Sequence, residues 1–192
     1  NNEIIFGSVQ TAGAIAAVIG GIIMSAWGGF KRRSHGVLVG WIISGAGIAI
    51  LGLVGGVPVW ILGIALSAIV VPLVNGSNQA IWQAKVAPDV QGRVFSARRL
   101  IAWFTNPISP IIAGTLADFV LEPQMRIDSP LSQTFGWLVG TGEGAGMALI
   151  IFFCGLLSVL VGVAGYFVSA ISKADTLLPD HDELKKAEPL PA

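Results

Sequence analysis

The sequence predicts an all-α polytopic membrane protein with five transmembrane helices. Three observations carry that expectation. The chain is 54% hydrophobic and 11% charged, with a mean hydropathy of +0.77, whereas an ordinary soluble domain is about 25% charged. Five stretches hold the roughly 20 mostly apolar residues that a helix needs to cross a bilayer, and none carries Lys or Arg within its apolar body. Finally, ten of the eleven basic residues fall in links that share one side if every stretch spans.

The first stretch covers residues 5–27 and is followed by Lys31, Arg32 and Arg33. The second covers 36–54, and Gly55-Gly56-Val57-Pro58 reads as a short turn into the third, 59–80. A polar and basic link with Lys85, Asp89, Arg93, Arg98 and Arg99 leads to the fourth, 100–120. The connection over 121–144 carries Pro123, Pro130 and several glycines, and has room for a short interfacial helix near 132–139. The fifth stretch is 146–171, followed by Lys173, Lys185 and Lys186. Arg126 alone falls on the other side, so the positive-inside rule makes the basic side cytoplasmic, with the N-terminus outside and the C-terminus inside. Residues 1–172 are the predicted transmembrane domain. The charged segment 173–192, with Pro179, Pro189 and Pro191, is expected to be a disordered cytoplasmic tail.

Several function classes are disfavoured. Zero net charge gives no global field to attract nucleic acid. Cys154 is alone, which excludes an internal disulfide and a cysteine-based metal cluster. No Ser/His/Asp or Cys/His set converges, so the chain reads as a non-enzyme without cofactor or metal. Asp180-His181-Asp182-Glu183 reads as solvated tail. The glycine string 140–146 looks like a nucleotide loop but lacks the preceding strand that such a loop requires. The opening NNEIIF has no Met, basic n-region or cleavage pattern, and the chain reads as a piece of something longer.

The polar residues within the apolar region mark candidate sites. Asn75, Asn78 and Gln79 have i, i+3, i+4 spacing and so share one helix face at the inner third of the third stretch. They are substrate-cavity candidates. Amides there also serve helix–helix hydrogen bonding, typically about 0.6–2 kcal/mol per contact. Thr105, Asn106 and Ser109 on the fourth stretch are cavity candidates too. Pro107 and Pro110 among them remove donors, free the carbonyls of Trp103 and Asn106, and are expected to interrupt and bend the helix. Asn75 is expected to converge with Asn106 and Ser109 on one cavity wall. Asp89 and Arg93 have ion-pair spacing. Together with Lys31, Arg32, Arg33, Arg98 and Arg99 they are candidates for loop gating, or for anchoring at an anionic membrane surface. Asp118 is the one acid within an apolar stretch, placed at its outer end; His35 is an interfacial residue beside the basic loop.

GGIIMSAWGGFKRR, NGSNQAIWQAKVAPDVQGRVFSARR, GTLADF, FGWLVGTGEGAGM and LLPDHD occur in that order and cover most of the chain. On these stretches the chain resembles the major facilitator superfamily, in particular the C-terminal half of bacterial permeases of the macrolide-efflux and enterobactin-exporter type. The second stretch is the most specific. The resemblance implies that the five helices are the eighth to twelfth of twelve, with the seventh helix and the N-terminal half missing. It implies a bacterial inner-membrane secondary exporter of a small amphipathic molecule such as a drug or siderophore. That exporter would be proton-coupled, with the lipid bilayer, the missing half and a small-molecule substrate as partners. The alternative is a small, non-transporting helical membrane subunit that binds a partner protein or lipid. One departure stands out: the superfamily loop reads Gly, Asp-Arg, Gly-Arg-Arg, whereas Gly28-Gly29-Phe30-Lys31-Arg32-Arg33 keeps glycines and basic residues without the acid. Gly114-Thr115-Leu116-Ala117-Asp118 spells the opening of the same motif without its basic continuation.

Overall fold

A computed structural model describes residues 2–126, 128–177 and 180–181. Among the described residues it is helical without strands, and five helices are long and apolar enough to cross a membrane: Glu3–Trp27, Arg33–Leu51, Gly56–Lys85, Pro88–Arg126 and Ala145–Phe167. The fold class is that of an all-α polytopic protein. The helical bounds exceed the apolar stretches mainly around the basic link, which is helical rather than a loop.

Helix α1 (Asn2–Trp27) ends where Gly28 and Gly29 take φ of 78° and 82°, a region costly for residues with a Cβ. The Gly28 N–H donates to Met24 O at 2.8 Å, which closes the helix and turns the chain into the basic link. Helix α2 (Arg33–Leu51) packs on α8 (Ala145–Phe167) and on α3 (Gly56–Ile69) and α4 (Val71–Lys85), and so forms the hub of the bundle. Its glycines allow this. A Cβ on Gly47 would lie 2.5 Å from Ser67 N and 2.6 Å from Gly63 O, while one on Gly52 would lie 2.6 Å from Ala148 O. In lipid, where no hydrophobic effect drives helices together, such close backbone approach contributes to association through van der Waals packing.

The third span is broken once. Pro72 lacks an N–H, so Ala68 O loses its usual partner and α3 ends at Ile69; the ladder restarts with Val74 N donating to Val70 O at 3.0 Å. The sequence expectation placed the break elsewhere. Helix α5 (Pro88–Leu116) runs through Pro107 and Pro110 without interruption, which corrects the expected interruption. The irregularity in this span is instead a π-helical turn at Ala117–Leu121, continued by α6 (Glu122–Arg126).

The connection beyond the fourth span folds over one end of the bundle. Helix α7 (Pro130–Val139) starts on a reciprocal cap in which Ser132 N donates to Ser129 Oγ at 3.2 Å and Ser129 N donates to Ser132 Oγ at 3.1 Å. Met125, Val139, Ala145 and Leu149 are buried here, flanked by Leu121, Phe135 and Phe152. Val54 N donates to Leu138 O at 2.9 Å, which ties the link between the second and third spans to the same end.

At the opposite end, Val168 takes an extended conformation (φ −89°, ψ 103°) and ends α8; α9 (Ser169–Ser172) and α10 (Ala174–Leu177) follow. Helix α10 and residues 180–181 belong to the segment expected to be the tail. Lys185 and Lys186, like the rest of the expected tail at 178–179 and 182–192, lie outside the described residues, as do Asp182 and Glu183 of the acidic His segment.

Candidate functional site

The basic links share one end of the bundle, and polar chemistry concentrates there. Val86 and Ala87 alone separate α4 from α5, and the Gln91 side chain fixes the turn by donating to Val86 O at 2.9 Å and Gln83 O at 3.2 Å. The end of α4 and the beginning of α5 are thereby joined through side chains around the turn. Trp82 Nε1–H donates to Asn78 Oδ1 at 3.1 Å, and the Arg98 guanidinium lies 5.1 Å from the Trp82 ring centroid. Arg99 lies 4.7 Å from the Trp103 ring. Gln79, Phe95, Arg98, Arg99 and Ala102 line a cleft of about 360 Å³ beside this contact. Asn78 and Gln79 (cavity candidates) and Arg98 and Arg99 (gating candidates) thus belong to one site.

The groups that line this cleft are of the kind that can recognise a ligand. Amide and guanidinium groups supply hydrogen bonds, and aromatic faces and alkyl stems supply apolar area. Cation–π contact holds Arg98 over a ring at an exposed position, where such contacts are worth about 0.5–1 kcal/mol.

The other cavity candidates are not brought to it. Asn75 lines a separate cavity of about 180 Å³ with Trp41, Ser44, Val71, Val74 and Ser158, between α2, α4 and α8. Asn106 is exposed on α5, as are Thr105, Pro107, Ser109 and Pro110. The Thr105 hydroxyl donates to Ala102 O at 2.9 Å and the Ser109 hydroxyl donates to Thr105 O at 2.9 Å, both within their own helix. The expected wall shared by Asn75, Asn106 and Ser109 is not formed, because α4 and α5 meet closely only around their common turn.

Lys31, Arg33 and Lys85 border a second basic cleft, of about 220 Å³, with Ile81, Ala84 and Asp180. Arg33 Nη1 donates to Ala80 O at 2.6 Å, and Lys85 Nζ pairs with Asp180 Oδ1 at 2.8 Å. Arg32 and His35 lie beside Lys31 in a neighbouring cleft, and the His35 ring meets Tyr166 edge-on at 5.5 Å. Asp89 and Arg93 are both exposed and do not make the ion pair that their spacing suggested.

Two features escaped the sequence reading. Phe95 lines this cleft and Trp82 holds Asn78 and Arg98 beside it; their helical spacing from Arg98 (i−3) and Asn78 (i+4) is the signal that marks them. Glu122 is the second. Its carboxylate accepts from Gly144 N at 2.6 Å and Gly146 N at 2.9 Å, holding the start of α8, and Arg126 bridges it to Glu143 at 3.4 and 3.6 Å. Partners 22 and 24 residues away leave no local pattern. Asp118 is exposed within the π-helical turn. A further cavity, about 510 Å³, is apolar apart from Gln10 and is lined by Ile5, Phe6, Val9, Leu51, Trp60 and Ile64.

No protein-family model and no solved structure matches this chain. It does resemble macrolide efflux proteins. It is 28% identical over 107 residues to Macrolide efflux protein A of Streptococcus pyogenes, a stretch covering 55% of this chain and 26% of that relative. It is 28% identical over 97 residues to Macrolide efflux protein A of Enterococcus faecalis, covering 50% of this chain and 30% of the relative. The matched stretches thus span less than a third of the curated relatives' length.

Proposed function

We propose that this chain forms part of a bacterial inner-membrane secondary exporter of the facilitator type, which moves a small amphipathic molecule out of the cell. The observation that carries the reading is the inner cleft. It is a recognition site of amide, guanidinium and aromatic groups at the ends of two apolar helices, in a chain similar to proteins named for macrolide efflux. No step of the reading requires bond making. Transport would be coupled to protons, and would need a second helical half to rock against this one around a substrate held between them. The basic end would face the cytoplasm, by the positive-inside rule.

In the complete exporter, Gln79→Leu and Arg98→Ala are expected to lower efflux per molecule by about two- to fivefold, in line with the loss of one polar or cation–π contact each. Efflux of a fluorescent amphipathic substrate, normalised to membrane abundance, checks this. Normal efflux per molecule with reduced abundance would assign both residues to packing instead.

A further inference from the structure

The second basic cleft is independent of any transport reading. It is built from three elements. The glycine turn after α1 carries Lys31, the first residue of α2 is Arg33, and the last residue of α4 is Lys85. Ile81 and Ala84 give it an apolar wall. Arg33 is held in place through Ala80 O, so its position does not depend on an anion. One anion is already there: the Asp180 carboxylate, which the C-terminal segment brings back to Lys85. That segment is tied down a second time by the Ser34 hydroxyl, which donates to Ser172 O at 3.1 Å. The pair is asymmetric. The Lys85 side chain is 14% exposed and the Asp180 side chain 47%. The cation is built in, and the carboxylate sits at the rim. Among the described residues, three basic side chains and one carboxylate line the cleft.

We propose that this cleft binds the phosphate of an anionic glycerophospholipid headgroup, and that Asp180 is an internal occupant which the headgroup displaces. The surroundings favour a lipid over a soluble anion. Lys31 also borders the adjoining cleft with Trp27, Phe30 and His35, where Trp27 and Phe30 meet edge-on at 4.7 Å. A tryptophan at the end of an apolar span marks the headgroup level. A phosphate held by Lys31, Arg33 and Lys85 would thus have its glycerol and acyl carbons beside aromatic and aliphatic surface. A headgroup with no cation of its own suits a cleft lined by Lys31, Arg33 and Lys85, and each basic residue near such a surface favours anionic lipid by about fivefold. Lipid binding then releases the segment around Asp180, so the site links membrane composition to the C-terminal region.

The test uses the complete protein in nanodiscs of equal parts phosphatidylglycerol and phosphatidylcholine, with retained lipid read by native mass spectrometry. Preferential retention of phosphatidylglycerol is expected. It should fall about fivefold for each of Lys31→Gln, Arg33→Gln and Lys85→Gln, survive Lys85→Arg, and rise in Asp180→Asn. A nitroxide at Leu177→Cys, in a Cys154→Ser background, should gain mobility when phosphatidylglycerol replaces phosphatidylcholine. Equal retention of the two lipids, or unchanged preference in the Gln variants, would overturn the site. Unchanged retention in Asp180→Asn would overturn its role as occupant, and this arm reads even if a Gln variant fails to accumulate. If inorganic phosphate added to phosphatidylcholine nanodiscs mobilises the label as phosphatidylglycerol does, the ligand is a soluble anion and the lipid assignment fails.

Discussion

Asn78 and Trp82 are one turn apart on α4, and Arg98 reaches their contact from the start of α5. The indole serves two neighbours at once: its N–H holds the amide, and its face receives the guanidinium. Trp82→Phe separates these tasks, since it keeps a ring for Arg98 but removes the donor to Asn78. Trp82→Leu removes both. Under the transport reading, efflux per molecule should fall about twofold in Trp82→Phe and further in Trp82→Leu, with the size of the second step set by a cation–π contact of about 0.5–1 kcal/mol. Ser109→Ala should change neither efflux nor abundance, because its hydroxyl bonds only to its own helix. An efflux defect in Ser109→Ala, measured in the same assay, would restore Ser109 to a substrate cavity. The polar residues themselves were legible from sequence. Their grouping was not. Amide spacing fixes a face of one helix, but which neighbour meets that face depends on the Val86-Ala87 turn and the Gln91 side chain that holds it.

At the scale of the element, hydropathy located all five spans because length and apolar content are local properties, and α7 (Pro130–Val139) falls close to the expected interfacial helix at 132–139. The prolines misled for a physical reason. A proline removes one donor, but whether the helix breaks depends on what else satisfies the freed carbonyl. Pro72 ends α3, whereas Pro107 and Pro110 lie inside α5. Glycine count alone does not say which glycines pack; the structure separates those under a neighbour from those facing open space. Gly47 has α3 backbone within 2.6 Å of where a Cβ would stand; Gly92 has nothing within 4 Å. Gly47→Leu should therefore cost about 1–3 kcal/mol or more through overpacking and sharply reduce membrane abundance. Gly92→Ala should leave abundance equal or slightly raised, since Ala is favoured over Gly in a helix by about 0.5–1 kcal/mol. Quantitative immunoblotting of membranes checks both. Equal loss in the two variants would mean that the α2–α3 contact is not a determinant of the fold.

At the scale of the whole molecule, the five spans are unequally supported. Helix α2 is surrounded by α3, α4 and α8, but α5 packs chiefly at its two ends, through the inner cleft and through the π-helical turn and α6. Between them no residue of α5 is buried, and Leu100, Ile101 and Phe104 are 72%, 73% and 72% exposed. Lipid can cover apolar side chains. It cannot satisfy the Asn106 amide, which lies in the same exposed run and costs free energy in hydrocarbon unless hydrogen-bonded. A helix that presents Asn106 along with large apolar residues is suited to a protein neighbour, and the curated relatives are more than three times as long as the stretch they share with this chain. Under the transport reading, these 192 residues expressed by themselves should accumulate poorly or aggregate, and co-expression of the further helices which that reading requires should rescue them. Fluorescence-detected size-exclusion of the tagged chain, with and without the rest, measures this. Single cysteines at Ile101 and Phe104, in a Cys154→Ser background, add the residue-level reading: they should react with a membrane-permeant maleimide in the isolated chain and be protected in the assembled protein. A monodisperse isolated chain whose cysteines react equally in both contexts would show that α5 faces lipid, and the second-half partner would lose its structural support.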